Sequence, residues 1–210
     1  MKSSIKKFVQ GIGINDAGYQ VTTRNEDGKN KVCPYYRTWA SMLARCQSAK
    51  CHILQPTYKG CSVCDEWLHF SNFKRWMEQQ DWEGKQLDKD LLVGGNKVYS
   101  PLTCIFLPSC INKSLTLRGS RRGAYPVGVS YVKRDRVYKA CCNNGAGKAE
   151  YLGSFTVSKE AHRAWQVAKI SVLNRIKDSE QNNFIKEGLQ RVIDKIQFDY
   201  DNNLETIDLN

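Results

Sequence analysis

Residues 127–155, VGVSYVKRDRVYKACCNNGAGKAEYLGSF, decide the fold of this chain. Runs rich in Val, Tyr and Ala lie at 127–133, 137–143 and 148–155. Between these runs stand the turn residues RDR at 134–136 and NGAG at 144–147. Because β-branched and aromatic residues favour strands while Asn, Asp and Gly favour turns, the stretch predicts a three-stranded antiparallel sheet.

Side chains alternate along a strand, so the predicted sheet has one face toward a packed helix and one outward face. Tyr138, Ala140, Cys142 and Leu152 are expected to face the helix, and Tyr151 outward. The outward side chains and the adjoining turns are polar, basic and aromatic, and the candidate DNA-binding residues among them are Ser130, Lys133, Arg134, Arg136, Lys139, Asn143, Lys148 and Tyr151. A sheet laid on a DNA groove requires such a face, although a solvated sheet face has the same composition.

Two helices are predicted after the sheet. The first begins with Ser158 as its N-cap and runs to about Ile176, with a buried stripe of Ala161, Ala164, Trp165, Ala168 and Leu173. The second covers 182–197, where Ile185, Leu189, Val192 and Ile196 recur at helical spacing. This second stripe is expected to pack on its own module, and a homodimer through it stays open.

The N-terminal half predicts a second set of mixed elements. They are a hairpin at 11–31, helices at 36–46 and 72–80, strands at 86–93 and 101–108, and a short helix at 109–117. In the helix at 36–46, Trp39, Met42, Leu43 and Cys46 share one face and form its predicted core side.

The predicted fold class is therefore α+β with two small modules. A strand–strand–helix finger with flanking helices and a hairpin occupies 1–114, and the three-stranded sheet with its helix occupies 127–178. Residues 179–210 form an acidic C-terminal helix and tail. The segment 115–126 is rich in Gly, Ser and Arg, which predicts a basic linker whose Arg118, Arg121 and Arg122 lie along a phosphate backbone.

The charge of the chain points to a polyanionic partner. The formal net charge is +11, with 19 basic against 10 acidic residues in 1–122, 8 against 3 in 123–170, and 5 against 8 in 171–210. A basic excess interleaved with Tyr and Trp suits nucleic acid, and double-stranded DNA is the expected partner. A solvated basic surface and an RNA-binding module are the alternatives. A small-molecule substrate is not expected.

The sequence also predicts the cellular location of the protein. The longest apolar runs are far too short to span a bilayer, and the basic start of the chain lacks the apolar stretch of a signal peptide. We therefore expect a soluble intracellular protein that is not secreted and does not act in a membrane. Its nine cysteines are then expected to be reduced.

Four segments of the C-terminal half carry a family resemblance. They are GVSY at 128–131, YKA at 138–140, YLGSF at 151–155 and EAHRAW at 160–165. Over about 50 residues they resemble, in order, the APETALA-type (ethylene-response-factor) DNA-binding domain. The resemblance implies a three-stranded sheet inserted into the major groove. Plant members carry arginines on the first strand where this chain has Ser130 and Val132, so phosphate contact is better supported than any base preference.

A second resemblance lies in the N-terminal half. Its segments are LDKD at 87–90, GNKVYSP at 95–101, TCIFLP at 103–108 and Ile111-Asn112, with Trp39, Arg45-Cys46 and VCDEW at 63–67 upstream. Over about 80 residues these are similar to the HNH motif of phage homing endonucleases, in which such a module is also found joined to an APETALA-type domain. The resemblance implies one divalent metal ion, Mg²⁺ or Mn²⁺, held at the first ligand position by Asp88 and at the last by Asn112, with Asn96 bracing the loop. Carboxylate and amide oxygens are hard ligands that suit Mg²⁺.

The HNH-like motif departs from its family at one catalytic position. Lys89 stands where the general-base histidine is expected, and a lysine is protonated at neutral pH unless it is strongly desolvated. Asp90 could replace the base, or Lys89 could neutralise charge. Two functions therefore stay open. The first is a metal-dependent DNA endonuclease of the homing type, and the alternative is a catalytically inactive, sequence-specific DNA-binding protein such as a repressor.

Four cysteines raise the alternative of a zinc site. Cys46, Cys51, Cys61 and Cys64 together could supply four thiolates, and Cys61 and Cys64 form a Cys-x-x-Cys pair. Zinc ribbons usually carry two such pairs, and Cys46 also completes an apolar helical face. The sequence favours core thiols over zinc.

Overall fold

The computed structural model describes residues 8–117 and 124–209, and its fold is α+β, as predicted. The chain divides into two units. The first unit runs to Asp90 and includes Gly95–Phe106, and the second contains Leu91–Gly94 and the chain from Leu107 on. The linker arginines Arg118, Arg121 and Arg122 lie outside the described residues.

Within its described residues, the first unit contains three α-helices, two short 3-10 helices (Pro56–Tyr58 and Asp65–Leu68) and short strands. Its elements are β1 (Thr22–Arg24), β2 (Asn30–Val32), α1 (Pro34–Gln47), α2 (Ala49–Leu54), β3 (Ser62–Val63), α3 (Phe70–Met77), β4 (Lys85–Asp88) and β5 (Val98–Tyr99). Strand β6 (Ile105–Pro108) begins in this unit and ends in the second. Strands β1 and β2 form the predicted hairpin, β3 pairs with β5 in parallel, and β4 pairs with β6.

Helix α1 supplies one side of the core of the first unit. Its buried residues are Trp39, Met42, Leu43 and Cys46, so the predicted apolar face is confirmed. The Trp39 indole Nε1 donates a 2.7 Å hydrogen bond to the carbonyl oxygen of Trp67, which satisfies this buried donor. The core therefore joins α1 to the segment before α3 through apolar contact and one directed bond.

Helix α3 takes its N-terminal cap from a distant residue. The side chain of its N-cap residue His69 makes no capping bond to the helix. Instead the Asp16 carboxylate accepts hydrogen bonds from the backbone N–H of Ser71 at 2.8 Å and from its hydroxyl at 2.7 Å. Burial alone would raise the pKa of Asp16, but the bonds from Ser71 and His69 outweigh it and hold the pKa below its ordinary value.

The second unit contains the three-stranded sheet. Its elements are α4 (Ser109–Leu115), β7 (Val129–Val132), β8 (Val137–Asn143), β9 (Ala149–Phe155), α5 (Ser158–Ser179) and α6 (Asn183–Asp201). The sheet is antiparallel in the order β7-β8-β9, as predicted, and α5 packs on it. Helix α4 belongs to this unit, whereas the predicted boundary lies at 114. It is tied to α5 because the buried Lys169 donates a hydrogen bond to the carbonyl oxygen of Ser114.

A β-bulge changes the register between β8 and β9. Ala140 lies opposite Gly153, but the next residue, Cys141, lies opposite Tyr151, so Leu152 is the extra residue. Tyr151 is exposed and Leu152 packs against the core, as predicted. Past the bulge the alternation restarts, and Ser154 faces outward opposite Lys139 rather than toward the helix.

The two long helices begin in different ways. Helix α6 has the side chain of Asn182 as its cap, which accepts bonds from the N–H groups of Phe184 and Ile185 at 2.9 and 3.3 Å. The predicted cap of α5 is wrong, because Ser158 is already the first helical residue and the N-cap residue, Val157, has no side chain that can accept a bond.

Helix α6 packs along α5 within the second unit. The apolar residues of its predicted stripe, Ile185, Leu189, Val192 and Ile196, are all buried in the single chain. Across 8–117 and 124–209, neither these helices nor any other has the length and apolar character needed to cross a membrane.

Candidate nucleic-acid interface

The outward face of the sheet β7-β8-β9 is built from cross-strand rows. Ser130, Lys139 and Ser154 form one row across all three strands. Cys141 and Tyr151 form the next row toward the far end of the sheet. Ala140 and Cys142 on the opposite face are buried, which identifies this face as the one turned away from α5.

The candidate DNA-binding residues of the sheet all lie on this face or in its two turns. Six of them are exposed: Ser130, Lys133, Arg134, Arg136, Lys148 and Tyr151. Lys139 and Asn143 are half-buried. Tyr151, with 59% of its surface exposed, makes a 2.8 Å hydrogen bond with the hydroxyl of Ser154, so the phenol is held over the outward face. The structure therefore brings these side chains together on one accessible surface.

Each turn has its own internal bonds. In the β7–β8 turn, Arg134 donates to both carboxylate oxygens of Asp135, at 2.7 and 3.3 Å. Arg136 has a φ of 54°, in the left-handed region that a tight turn requires. In the β8–β9 turn, the side-chain oxygen of Asn143 accepts from the N–H of Gly145 at 2.9 Å. One lone pair of the Asn143 side-chain oxygen is therefore used inside the turn, and its NH₂ group can donate to a ligand.

The face is positively charged. Residues 127–155 contain five basic side chains, at 133, 134, 136, 139 and 148, against the two acidic side chains Asp135 and Glu150. One of the five, Arg134, is paired with Asp135 in the same turn. The remaining positive charges attract a polyanion, most strongly at low ionic strength.

The loop after β4 contains the departure from the HNH-like pattern. Lys89 is only 3% exposed, and its ammonium group contacts the carboxylate of Asp90 and, at 2.9 Å, the carbonyl oxygen of Asn96. The ring of Tyr99 lies 5.8 Å from the same nitrogen. Lys89 thus neutralises Asp90 and holds the loop, and an ammonium in these contacts has no lone pair with which to accept a proton.

Asn96 braces the same loop. Its side-chain nitrogen donates to the carbonyl oxygens of Lys89 and Val98, at 2.8 and 2.7 Å, and its side-chain oxygen accepts from the N–H of Val98 at 3.1 Å. Both ends of the amide are used inside the loop. Asn96 therefore holds the loop through its own hydrogen bonds, and its family role stays a prediction.

The two predicted metal ligands belong to different units. Asp88, at the end of β4, lies in the first unit, and one of its oxygens accepts from the N–H of Asp90 at 2.9 Å. Asn112 lies on α4 in the second unit. The side-chain oxygens of Asp88 and Asn112 are of the type that Mg²⁺ prefers. The neighbouring carboxylate of Asp90 is paired with the ammonium group of Lys89, so it is not a third candidate ligand. The pair Asp88 and Asn112 stays a prediction.

The histidines are all engaged in structural contacts. His52 Nε2 donates to the carbonyl oxygen of Arg45 at 2.8 Å, and His69 Nδ1 lies 3.2 Å from the Asp16 carboxylate. His162 Nδ1 donates to Val127 at 2.9 Å, while its Nε2 accepts from the N–H of Thr206 at 3.0 Å. His162 is therefore fixed as one neutral tautomer inside the second unit.

Three cysteines of the zinc alternative, Cys46, Cys61 and Cys64, lie in or beside the core of the first unit, whereas Cys51 is half-buried on α2. Cys46 and Cys61 are buried, and burial, followed by the neighbouring Cys61, raises the pKa of Cys46 to about 12. Burial also raises the pKa of Cys64. In the described part of the chain, no three His, Cys, Asp or Glu side chains are grouped closely enough to hold a metal ion.

Ser154 lies on the outward face, which the simple alternation of side chains along a strand does not predict. Simple alternation from Leu152 places it toward the helix, whereas the bulge turns it outward beside Lys139. The signal in the sequence is Gly153, whose φ of 138° only glycine adopts without strain. A glycine inside a strand pattern indicates a bulge.

Comparisons with protein-family models, with curated proteins and with solved structures find no match to this chain. The two family resemblances therefore remain predictions from the sequence, and the functional argument depends on the surface itself.

Proposed function

We propose that this chain binds double-stranded DNA through the outward face of the sheet β7-β8-β9. The observation that carries the proposal is the placement of basic, hydroxyl and aromatic side chains on one exposed face, while the buried Val129, Ala140 and Cys142 of the same strands are turned toward α5. Sheet faces of this kind bind in DNA grooves, where basic side chains contact phosphates and strand residues contact base edges.

Binding of this type depends strongly on salt. Each phosphate that a Lys or Arg neutralises releases counterions, so log Kd changes by about 0.9 per contact for each tenfold change in salt. With about six contacts, affinity falls about 10³-fold between 50 and 200 mM salt. Titrating a fluorescent duplex pool with the full-length protein across this range measures the effect, and a flat response contradicts the proposal.

A charge-matched pair of variants locates the surface. The test variant combines Lys133→Gln, Arg136→Gln and Lys148→Gln, which removes three charges from the sheet turns. The control combines Lys159→Gln, Arg175→Gln and Lys186→Gln, which removes three charges from α5 and α6. We call the slope of log Kd against log salt concentration the salt slope. This slope is expected to be about 2.7 smaller for the test variant than for the parent protein, and the decrease for the control is expected to be much smaller. Equal losses would contradict a specific surface and indicate attraction by net charge alone.

Metal-dependent cleavage of DNA is the second candidate function. It is favoured by the order β4, β5, β6, α4, by the position of Asp88 at a strand end, and by the bracing of the loop after β4 by Asn96. A bound Mg²⁺ or Mn²⁺, held by Asp88 and Asn112, would stabilise charge at the scissile phosphate. The pairing of buried Lys89 with Asp90 favours the non-cleaving alternative, because each of these two candidate bases is engaged by the other.

A plasmid assay separates the two candidates. Purified protein is incubated with supercoiled plasmid and Mg²⁺ or Mn²⁺, beside a variant with Asp88→Ala and Asn112→Ala. Nicking by the parent protein and not by the variant supports cleavage. Tight binding to a selected duplex without nicking supports a sequence-specific binding protein. Preference for structured RNA over duplex DNA in competition would overturn both.

A further inference from the structure

Among the described residues of the sheet, Lys139 is the basic residue at the centre of the outward face. It lies on β8, the middle strand, with Ser130 directly opposite on one side and Ser154 on the other. The other basic residues lie in the two turns, at Lys133, Arg134 and Arg136 and at Lys148. A strand advances about 3.3 Å per residue, so Lys139 is about 10 Å along β8 from Arg136 and further still from Lys148.

The electrostatic surroundings of Lys139 differ from those of Arg134. The guanidinium of Arg134 is held by the carboxylate of Asp135. Over the residues that the structure describes, no carboxylate lies within ion-pair distance of Lys139. Lys139 is half-buried, and among the described residues its ammonium makes no ion pair, so its donors are available to a ligand.

The chemistry of this central row selects among base edges. A lysine ammonium can only donate hydrogen bonds, and in the major groove guanine presents two adjacent acceptors, O6 and N7. The hydroxyls of Ser130 and Ser154 donate or accept and tolerate any base. Among the polar groups of the row, Lys139 is therefore the one that discriminates between bases.

The geometry points to Lys139 as the residue that specifies a guanine in the DNA site, with the basic turns contacting phosphates on either side. This inference rests on the proposed binding of DNA by the sheet and adds to it the base preference of one position. It also assigns Arg134, despite its exposure, a minor part in base recognition, since Asp135 competes for its donors.

Selection from a random duplex library by full-length protein tests the inference. The parent protein is expected to select a site with one strongly preferred G·C pair. Lys139→Met is expected to lower the preference for that pair by about 10-fold while the preferences at other positions persist. Lys139→Arg, which keeps a donor to O6 and N7, is expected to retain the preference for guanine.

Lys133→Met is the matched control, because it removes one positive charge from the turn instead of the centre. It is expected to weaken all sequences about equally and to lower the salt slope by about 1. If Lys139→Met behaves in the same way as Lys133→Met, the inference is wrong although DNA binding stands. If the parent protein binds no duplex at all, the proposed function fails instead. Circular dichroism of each variant confirms that the sheet is retained.

Discussion

At the scale of single residues, Lys89 holds the loop after β4 through the contacts of its ammonium group. The sequence places it where a general base is expected, and residue type alone leaves catalytic and structural roles open. The structure surrounds its ammonium with Asp90, the carbonyl oxygen of Asn96 and the ring of Tyr99. These are contacts that stabilise a positive charge, so Lys89 acts as an internal cation that closes the loop.

Replacing Lys89 is therefore expected to destabilise the protein. Lys89→Met leaves the Asp90 carboxylate and the Asn96 carbonyl without their donor, which should lower the free energy of unfolding by about 1–3 kcal/mol. Lys85→Met is the control, because it breaks the more exposed pair with Asp81 and should cost less than about 0.5 kcal/mol. Urea titration measures both values. A fully stable Lys89→Met protein that binds DNA normally but has lost plasmid nicking would show that Lys89 has a catalytic role instead.

At the scale of elements, the cap of α3 shows how one contact joins distant parts of the chain. Asp16 precedes Ser71 by 55 residues, yet it satisfies a backbone N–H in the first turn of the helix. A carboxylate at this end also interacts favourably with the helix dipole. The N-terminal segment is thereby fixed against α3.

This cap predicts a pH dependence of stability. Asp16→Ala is expected to lower the free energy of unfolding by about 1 kcal/mol at pH 7. Because the pKa of Asp16 is lower in the folded protein than in the unfolded chain, its stabilisation is complete above about pH 4 and is lost as the pH falls through the folded pKa. Urea titrations of both proteins at pH 7 and pH 3 should therefore show the difference shrinking in acid. A difference that does not change with pH would mean that the cap does not depend on the charge of the carboxylate.

Elements with a regular period could be predicted from the sequence, and contacts without a period could not. The stripes of α1 and α6 follow from helical spacing, and the strands β7 to β9 follow from turn residues between β-branched and aromatic runs. The strands β3 and β5 contain two residues each, too few for a pattern, and their parallel pairing depends on distant parts of the chain. The cap by Asp16 and the contacts of the Lys89 ammonium with Asn96 and Tyr99 have no periodic signal either, whereas neutralisation of charge by Lys89 is one of the roles that the sequence leaves open.

At the scale of the whole molecule, the net charge changes sign between two stretches of the second unit. Residues 123–170 contain 8 basic against 3 acidic side chains, whereas residues 171–210 contain 5 against 8. The acidic stretch includes α6, which packs on α5, and α5 in turn packs on the sheet face opposite the candidate interface. Phosphates are therefore attracted to the sheet face and repelled by the acidic end of the chain.

The linker arginines should add to this attraction. Arg122 precedes Val129 by seven residues in the sequence, and seven residues of fully extended chain span at most about 25 Å. That is less than one turn of B-DNA, about 34 Å, so the linker and the sheet can contact one duplex. Replacing Arg118, Arg121 and Arg122 with Gln is expected to lower the salt slope by about 2.7 if each contacts one phosphate.

Combining this linker variant with the triple sheet variant tests whether both contact the same duplex at once. Each neutralised phosphate releases its own counterions, so the two losses in log affinity should add, and the combined salt slope should fall by about 5.4. Fluorescence anisotropy between 50 and 200 mM salt measures this, with the α5 and α6 charge variant as the control. If the combined variant binds DNA as tightly as the sheet variant alone, the linker arginines do not contact the duplex that the sheet binds. Contacts of both segments with one duplex would each lower the affinity when they are removed.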